Sequence, residues 1–281
     1  MFTPYLLLIA LLVSSCISPK RAPEPAIHRP NAVVPEYLSA FCGQHAVTIS
    51  GQGSAVHYGC AGCPAGADFE KTGSAVRLER VFSGSFTQPG AEEIWGVLIG
   101  CEPHALGFGD GILVRKEATG WKQVAFKPGW VPSDCIKFST DQKTDGLVCE
   151  FDWVGQGQKV QSLEVETFGK APRKKSLLKY GDNLGASFYP KGSIFSIQRT
   201  SWSLARAATK SNPSLLTVEF ALREAKLSRS ETNDEVSKPL SKLGPASKLK
   251  LTWKWKRNEF GLDQRSRKVA QRISNLIKTR E

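Results

Sequence analysis

Apolar and polar residues alternate strictly from 248 to 256, where Leu249, Leu251, Trp253 and Trp255 are separated by Lys248, Lys250, Thr252, Lys254 and Lys256. A period of two sends the apolar side chains to one face of an extended strand and the lysines to the other. This is the pattern of a half-buried antiparallel strand. Stretches of similar character predict further strands at 75–82, 93–99, 111–115, 121–126, 146–151, 160–168, 194–198 and 214–222. Turn residues separate them, as at Gln88-Pro89-Gly90, Lys127-Pro128-Gly129 and Gly155-Gln156-Gly157. A helical period occurs near the end of the chain, where Val269, Ile273, Leu276 and Ile277 share one face between Gln264 and Lys278. The expected fold class is therefore mainly β, with antiparallel repeated strands in a propeller-like or sandwich arrangement and a short C-terminal amphipathic helix.

Three segments, beginning near Val81, Cys135 and Ile194, repeat the order strand, polar gap, strand at spacings of 54 and 59 residues. Periods of this size point to propeller blades or stacked β units. Within the second segment, Asp141-Gln142-Lys143-Thr144-Asp145-Gly146 precedes Leu147-Val148-Cys149. On these residues the body resembles the FG-GAP or integrin-like β-propeller repeat, whose blades carry a calcium loop between their first two strands. The resemblance implies Asp141 and Asp145 as two of the loop's oxygen ligands. The middle ligand position is Lys143, whereas calcium takes about six to eight oxygens, so the expectation is an ordinary Asp-Gly turn and no metal.

The N-terminus carries an address. Leu6 to Val13 is an uninterrupted apolar run that ends in Val13-Ser14-Ser15-Cys16. It is shorter than the ~20 residues a membrane-spanning helix needs, and small residues precede the cysteine as in an export cleavage site. The run resembles a bacterial lipobox, which implies removal of residues 1–15 as a signal peptide and lipidation of Cys16. Pro19, Pro23, Pro25, Pro30 and Pro35 then punctuate residues 16–36, an extended linker that holds the body off a lipid surface. The body is expected at 37–281, with a possible internal boundary near 169–193, and residues 228–247 read as a flexible surface loop rich in Ser, Lys, Glu and Pro. The expected location is the bacterial cell envelope, outside the cytoplasm, anchored to a membrane.

Outside the cytoplasm thiols oxidise. Setting Cys16 aside leaves Cys42, Cys60, Cys63, Cys101, Cys135 and Cys149, an even number suited to a disulfide framework. Cys135 and Cys149 flank a turn between two strands and are the favoured pair. Cys60-Ala61-Gly62-Cys63 is a C-x-x-C motif and leaves two other readings open: a redox pair, or zinc held with Cys42 and either His45 or His57. Gly100-Cys101-Glu102-Pro103-His104 places a carboxylate near an imidazole, the residue types of acid–base catalysis. The sequence contains no G-x-S-x-G elbow, H-E-x-x-H or phosphate-binding glycine loop, and no cofactor is expected.

The net charge of +12 is unevenly spread. Residues 1–168 hold 13 Lys and Arg against 17 Asp and Glu, while residues 169–281 hold 25 against 9. A basic half favours anionic partners, and the export signal turns the choice away from nucleic acid and toward anionic lipid, acidic polysaccharide or an envelope protein. Arg265, Arg267, Lys268 and Arg272 on the C-terminal helix are the expected contact residues, and that helix either docks on the body's own core or lies on a membrane surface. The expected function is a lipid-anchored, non-enzymatic binding or scaffold module of the envelope. The alternative is a hydrolase of envelope polymer with a site assembled from scattered residues.

Overall fold

The computed structural model describes residues 34–51, 56–64, 76–100, 109–155, 158–169, 172–184, 193–205, 214–226, 243–256 and 259–278. They build two sheets in which every pairing is antiparallel and joins strands consecutive in sequence. The first sheet runs β1 Val47–Ser50, β2 His57–Cys60, β3 Val76–Gly84, β4 Glu93–Ile99, β5 Gly109–Glu117 and β6 Gly120–Pro128, with the helix α1 Tyr37–Cys42 packed on it. The second runs β7 Asp134–Ser139, β8 Asp145–Gly155, β9 Gln158–Thr167, β10 Arg173–Asp182, β11 Ser193–Ala205, β12 Leu215–Lys226, β13 Ser247–Lys256 and β14 Glu259–Leu262, and ends in the helix α2 Gln264–Lys278. The protein is mainly β, as its alternation requires. The repeated unit near Val81 lies in the first sheet, and those near Cys135 and Ile194 are consecutive parts of the second.

β4 is buried on both faces, so 93–99 reads as a nearly continuous apolar run instead of an alternation. Ile94 and Leu98, with Ile112 and Val114 of β5, pack beneath Leu38, Phe41 and Cys42 of α1. Trp95, Val97 and Leu113 face the opposite way, toward the second sheet. Gly96 makes the docking of α1 possible, because a Cβ there would lie 2.6 Å from the Phe41 ring.

The second sheet curls. β10 and β11 share only the pair Asp182↔Ser196, and β7 returns toward the far strands. Phe138 of β7 packs on Trp255 and Phe260 with ring centroids 4.7 and 5.1 Å apart. Arg199 of β11 reaches Asp134 of β7 at 3.2 Å. α2 lies against β10 and β13, with Ile273 buried and Val269, Leu276 and Ile277 packed on the same core. The helix therefore closes this half-barrel. Its start is set by Asp263, whose Oδ1 accepts the Ser266 N–H at 2.8 Å, while the Ser266 hydroxyl accepts the Thr252 N–H of β13 at 2.8 Å. One N-cap thus both begins the helix and pins it to the sheet.

The outer face of the curled sheet packs on the first. Leu147 and Cys149 of β8 join Phe86, Trp95, Leu113 and Trp130 in one cluster, while Val148 points into the half-barrel. The Asp145 N–H donates to the Ser85 carbonyl at 2.8 Å, and Asp145 Oδ2 accepts the Ser85 N–H at 2.9 Å. Residues 173–182, within the stretch expected to hold a boundary, form β10 inside the second sheet.

Candidate functional site

Arg265, Arg267, Lys268 and Arg272 are all exposed, because the apolar positions of α2 face the core. Arg272 pairs with Glu224 of β12. Among the described residues no ion pair reaches Arg265, Arg267 or Lys268. Lys248, Lys254 and Lys256 are exposed on the polar side of β13, and Lys250 reaches Glu219 only at 3.9 Å. Between α2 and β10 lies a groove of about 570 Å³ with Leu177, Leu262 and Ile277 in its floor and Lys179, Arg267 and Lys278 at its edge.

Cys135 and Cys149 sit directly opposite each other on β7 and β8 and form a disulfide with Cα atoms 4.1 Å apart. Cys42 bonds to Cys60 and ties α1 to β2. Bridges of this kind fit an oxidising, extracytoplasmic environment. The second bridge takes two of the three thiols that the zinc reading needs, and Cys60 is not bonded to Cys63, which carries a free thiol. The His45 ring packs over Gly62, and His57 is exposed. Cys16, Cys101 and His104, linker residues 16–33 and most of 228–247 lie outside the described residues.

In the Asp-Gly turn, Asp141 accepts the Trp255 indole N–H at 3.1 Å, and Asp145 is spent on Ser85 and on Lys137 at 3.5 Å. Lys143 occupies the turn at φ 59°. No group of three metal-ligating side chains occurs among the described residues.

Two polar constellations went unseen in the sequence. One lies inside the half-barrel, where the buried carboxylate of Glu150 accepts the Tyr180 hydroxyl, Gln161 Nε2 at 3.0 Å, and Arg199 Nε and Nη2 at 3.0 and 2.5 Å. Burial, then the hydrogen bond and charge of Glu150, push the Tyr180 phenol far above its usual range. Both carboxylate oxygens are occupied, so this cluster braces β8, β9, β10 and β11 and leaves no free acceptor for a reacting group.

The other is a cleft of about 340 Å³ between the sheets. Trp95, Leu113, Phe126 and Phe168 form its apolar walls, and Lys127, Glu166, Arg173 and Lys174 its polar ones. Glu166 is 1% exposed. Its Oε2 accepts the Trp130 indole N–H at 3.0 Å and pairs with Lys127. Its Oε1 has no hydrogen-bond partner, and Lys174 lies 3.9 Å from it. The indole N–H of Trp95, itself 2% exposed, has none either. Both atoms belong to residues that line the cleft but are themselves closed off from solvent; a buried polar atom left unpaired costs about 1–3 kcal/mol and departs from ordinary packing. Trp95 and Glu166 line one cleft only because β4 and β9 face each other across the sheets, which is why no spacing announces them.

Compared with family models, curated proteins and solved structures, the chain matches none of them.

Proposed function

We propose that the protein is a lipid-anchored binding module of the bacterial cell envelope that holds an anionic envelope component, such as anionic lipid, acidic polysaccharide or an acidic partner protein, on its basic face. One observation carries the reading: α2 spends its apolar side on the core and turns Arg265, Arg267 and Lys268 to solvent without acidic partners among the described residues. The groove edged by Lys179, Arg267 and Lys278 extends that cationic character onto β10. The lipobox-like sequence at Cys16 supplies the anchor, and the proline-rich 16–36 segment the spacing from the membrane. Each Lys or Arg near an anionic membrane contributes about 1 kcal/mol, an attraction screened over about 8 Å at physiological salt.

The test has two parts. Cys16→Ser should move the protein out of the membrane fraction or block its maturation; unchanged fractionation removes the anchor. The soluble Cys16→Ser protein should co-sediment with phosphatidylglycerol vesicles or with an acidic polysaccharide at low salt and release as salt rises. Neutralising Arg265, Arg267, Lys268 and Arg272 together should weaken that binding. Indifference to both at low ionic strength leaves α2 a solvated face.

A further inference from the structure

We infer that the end of the β8–β9 hairpin dips into a membrane, its partner being the interfacial layer of a lipid bilayer. Trp153 is 50% exposed and Val154 72%, the two most exposed large apolar residues among those described. They lie just beyond Glu150, where the pairing of β8 with β7 stops. Phe151 to Gly155 therefore continues with β9 on one side and, among the described residues, no strand on the other. The Trp153 ring makes no aromatic or cation contact with any described residue. Single apolar residues on a surface are ordinary, but these two neighbours face opposite ways. Successive strand residues alternate between faces, so Trp153 stands with Phe151 and Val160 on the side that packs toward the first sheet, and Val154 stands on the other with Asp152 and Lys159. The end of the hairpin is thus apolar on both faces.

Exposure on both faces selects the partner. A protein docking on this corner would cover one face of the strand and leave the other in water, whereas the boundary of a bilayer surrounds an inserted end. A second copy pairing along the open edge would gain four apolar positions, Phe151, Trp153, Val154 and Val160, against the roughly 20–30 residues a side of a stable interface. Tryptophan suits the depth, since its apolar body and polar N–H concentrate it at membrane–water interfaces. Charge does not oppose insertion: residues 153–158 contain no ionisable side chain, and the flanking Asp152 and Lys159 approach each other at 3.8 Å. Reach does not oppose it either. Residues 16–33 can span at most roughly 60 Å, enough for an anchor at Cys16 and the hairpin end to meet one membrane, and a tethered contact needs little affinity of its own. The contact is apolar and separate from the cationic face of α2, so it needs no anionic lipid and does not weaken through charge screening.

The experiment titrates the soluble Cys16→Ser protein with neutral phosphatidylcholine vesicles whose acyl chains carry bromine, a contact quencher of tryptophan emission. The inference requires that emission falls as vesicles are added, and falls equally at low and high salt. Trp153→Phe should still bind the vesicles but lose the quenching. Trp153→Ser combined with Val154→Ser should weaken binding about tenfold, the factor equivalent to about 1.4 kcal/mol. Both positions are exposed, so the double variant should keep its circular dichroism spectrum and its salt-dependent binding to phosphatidylglycerol through α2. Neutralising Arg265, Arg267, Lys268 and Arg272 should leave quenching by the neutral vesicles unchanged, so failure of either surface is told apart from failure of the other. Emission unmoved at every lipid concentration overturns the inference. Quenching that persists in Trp153→Phe places another tryptophan at the lipid and overturns it as well. A dimer that Trp153→Ser disperses, without quenching by lipid, assigns the hairpin end to a second copy and also overturns it.

Discussion

The indole N–H of Trp130 donates to the Glu166 carboxylate at 3.0 Å, joining the segment that leaves the first sheet to the middle of the second. Trp130 is 1% exposed and packs over Gly111, where a Cβ would come within 2.6 Å of the indole. The bond is therefore made inside the cluster that both sheets share. Trp130→Phe keeps a ring there but loses the donor and some volume, at an expected cost of about 2–4 kcal/mol. Urea unfolding measures it, and a loss below about 0.5 kcal/mol would show that the bond contributes nothing net. Because the sheets share a core, the transition should remain single.

Glu150 ties three strands through Tyr180, Gln161 and Arg199. Glu150→Ala leaves the largely buried Arg199 guanidinium with Asp134 at 3.2 Å as its carboxylate partner, so the loss should fall near the lower end of the about 3–5 kcal/mol that breaking a buried pair costs. Tyr180→Phe removes one donor only and should cost nearer 1 kcal/mol. Equal effects from the two substitutions would contradict the assignment of Glu150 as the centre of the cluster.

Asp263 caps α2, and the hydrogen bonds from Ser266 hold its carboxyl below the usual aspartate value. A lowered folded-state pKa contributes stability that is fully present above the unfolded value near ~3.9 and is lost as the pH falls through the folded one. Asp263→Ala should cost about 1 kcal/mol at neutral pH and make stability less sensitive to acid below about pH 4. Thermal melts of both proteins at neutral and acid pH decide this; an unchanged acid response removes the cap's role.

The bridges Cys42–Cys60 and Cys135–Cys149 leave Cys63 and Cys101 as the remaining body thiols. Alkylation of the denatured, unreduced protein is expected to label Cys63, and Cys63→Ser to remove that label. An unlabelled Cys63 would contradict the free thiol. Reduction should cost about 2–4 kcal/mol for each bridge broken.

The clearest sequence signals were those with an uninterrupted period. Leu249 to Trp255 alternates through β13, and Val269 to Ile277 marks α2 from Gln264 to Lys278. β10 was missed because Arg173, Lys174, Lys175 and Ser176 open it without an apolar partner and a register shift then interrupts the pairing before Leu178. β1, β2 and β14 have four residues each, and α1 six, too few for a period to emerge. The change of charge after residue 168 was visible, yet it falls between β9 and β10 and marks no break in the sheet. Cys135 and Cys149 were legible as a pair because a hairpin sets its own register. The cleft was not: Lys127 and Glu166 are 39 residues apart on different sheets, and an unpaired buried atom exists only once the packing around it does.

Pairing only with the preceding strand also decides how such a chain is able to fold. Each strand can close onto its neighbour as soon as it leaves a ribosome or an export channel, without waiting for a distant partner. The loop-closure cost at each step is small, and the bridges at separations of 18 and 14 residues form within segments that have already emerged. The return of β7 to Trp255 and Phe260 has to wait for the last strands. Until then the inner apolar face of the growing sheet stays open to solvent, and the arrival of α2 ends that exposure.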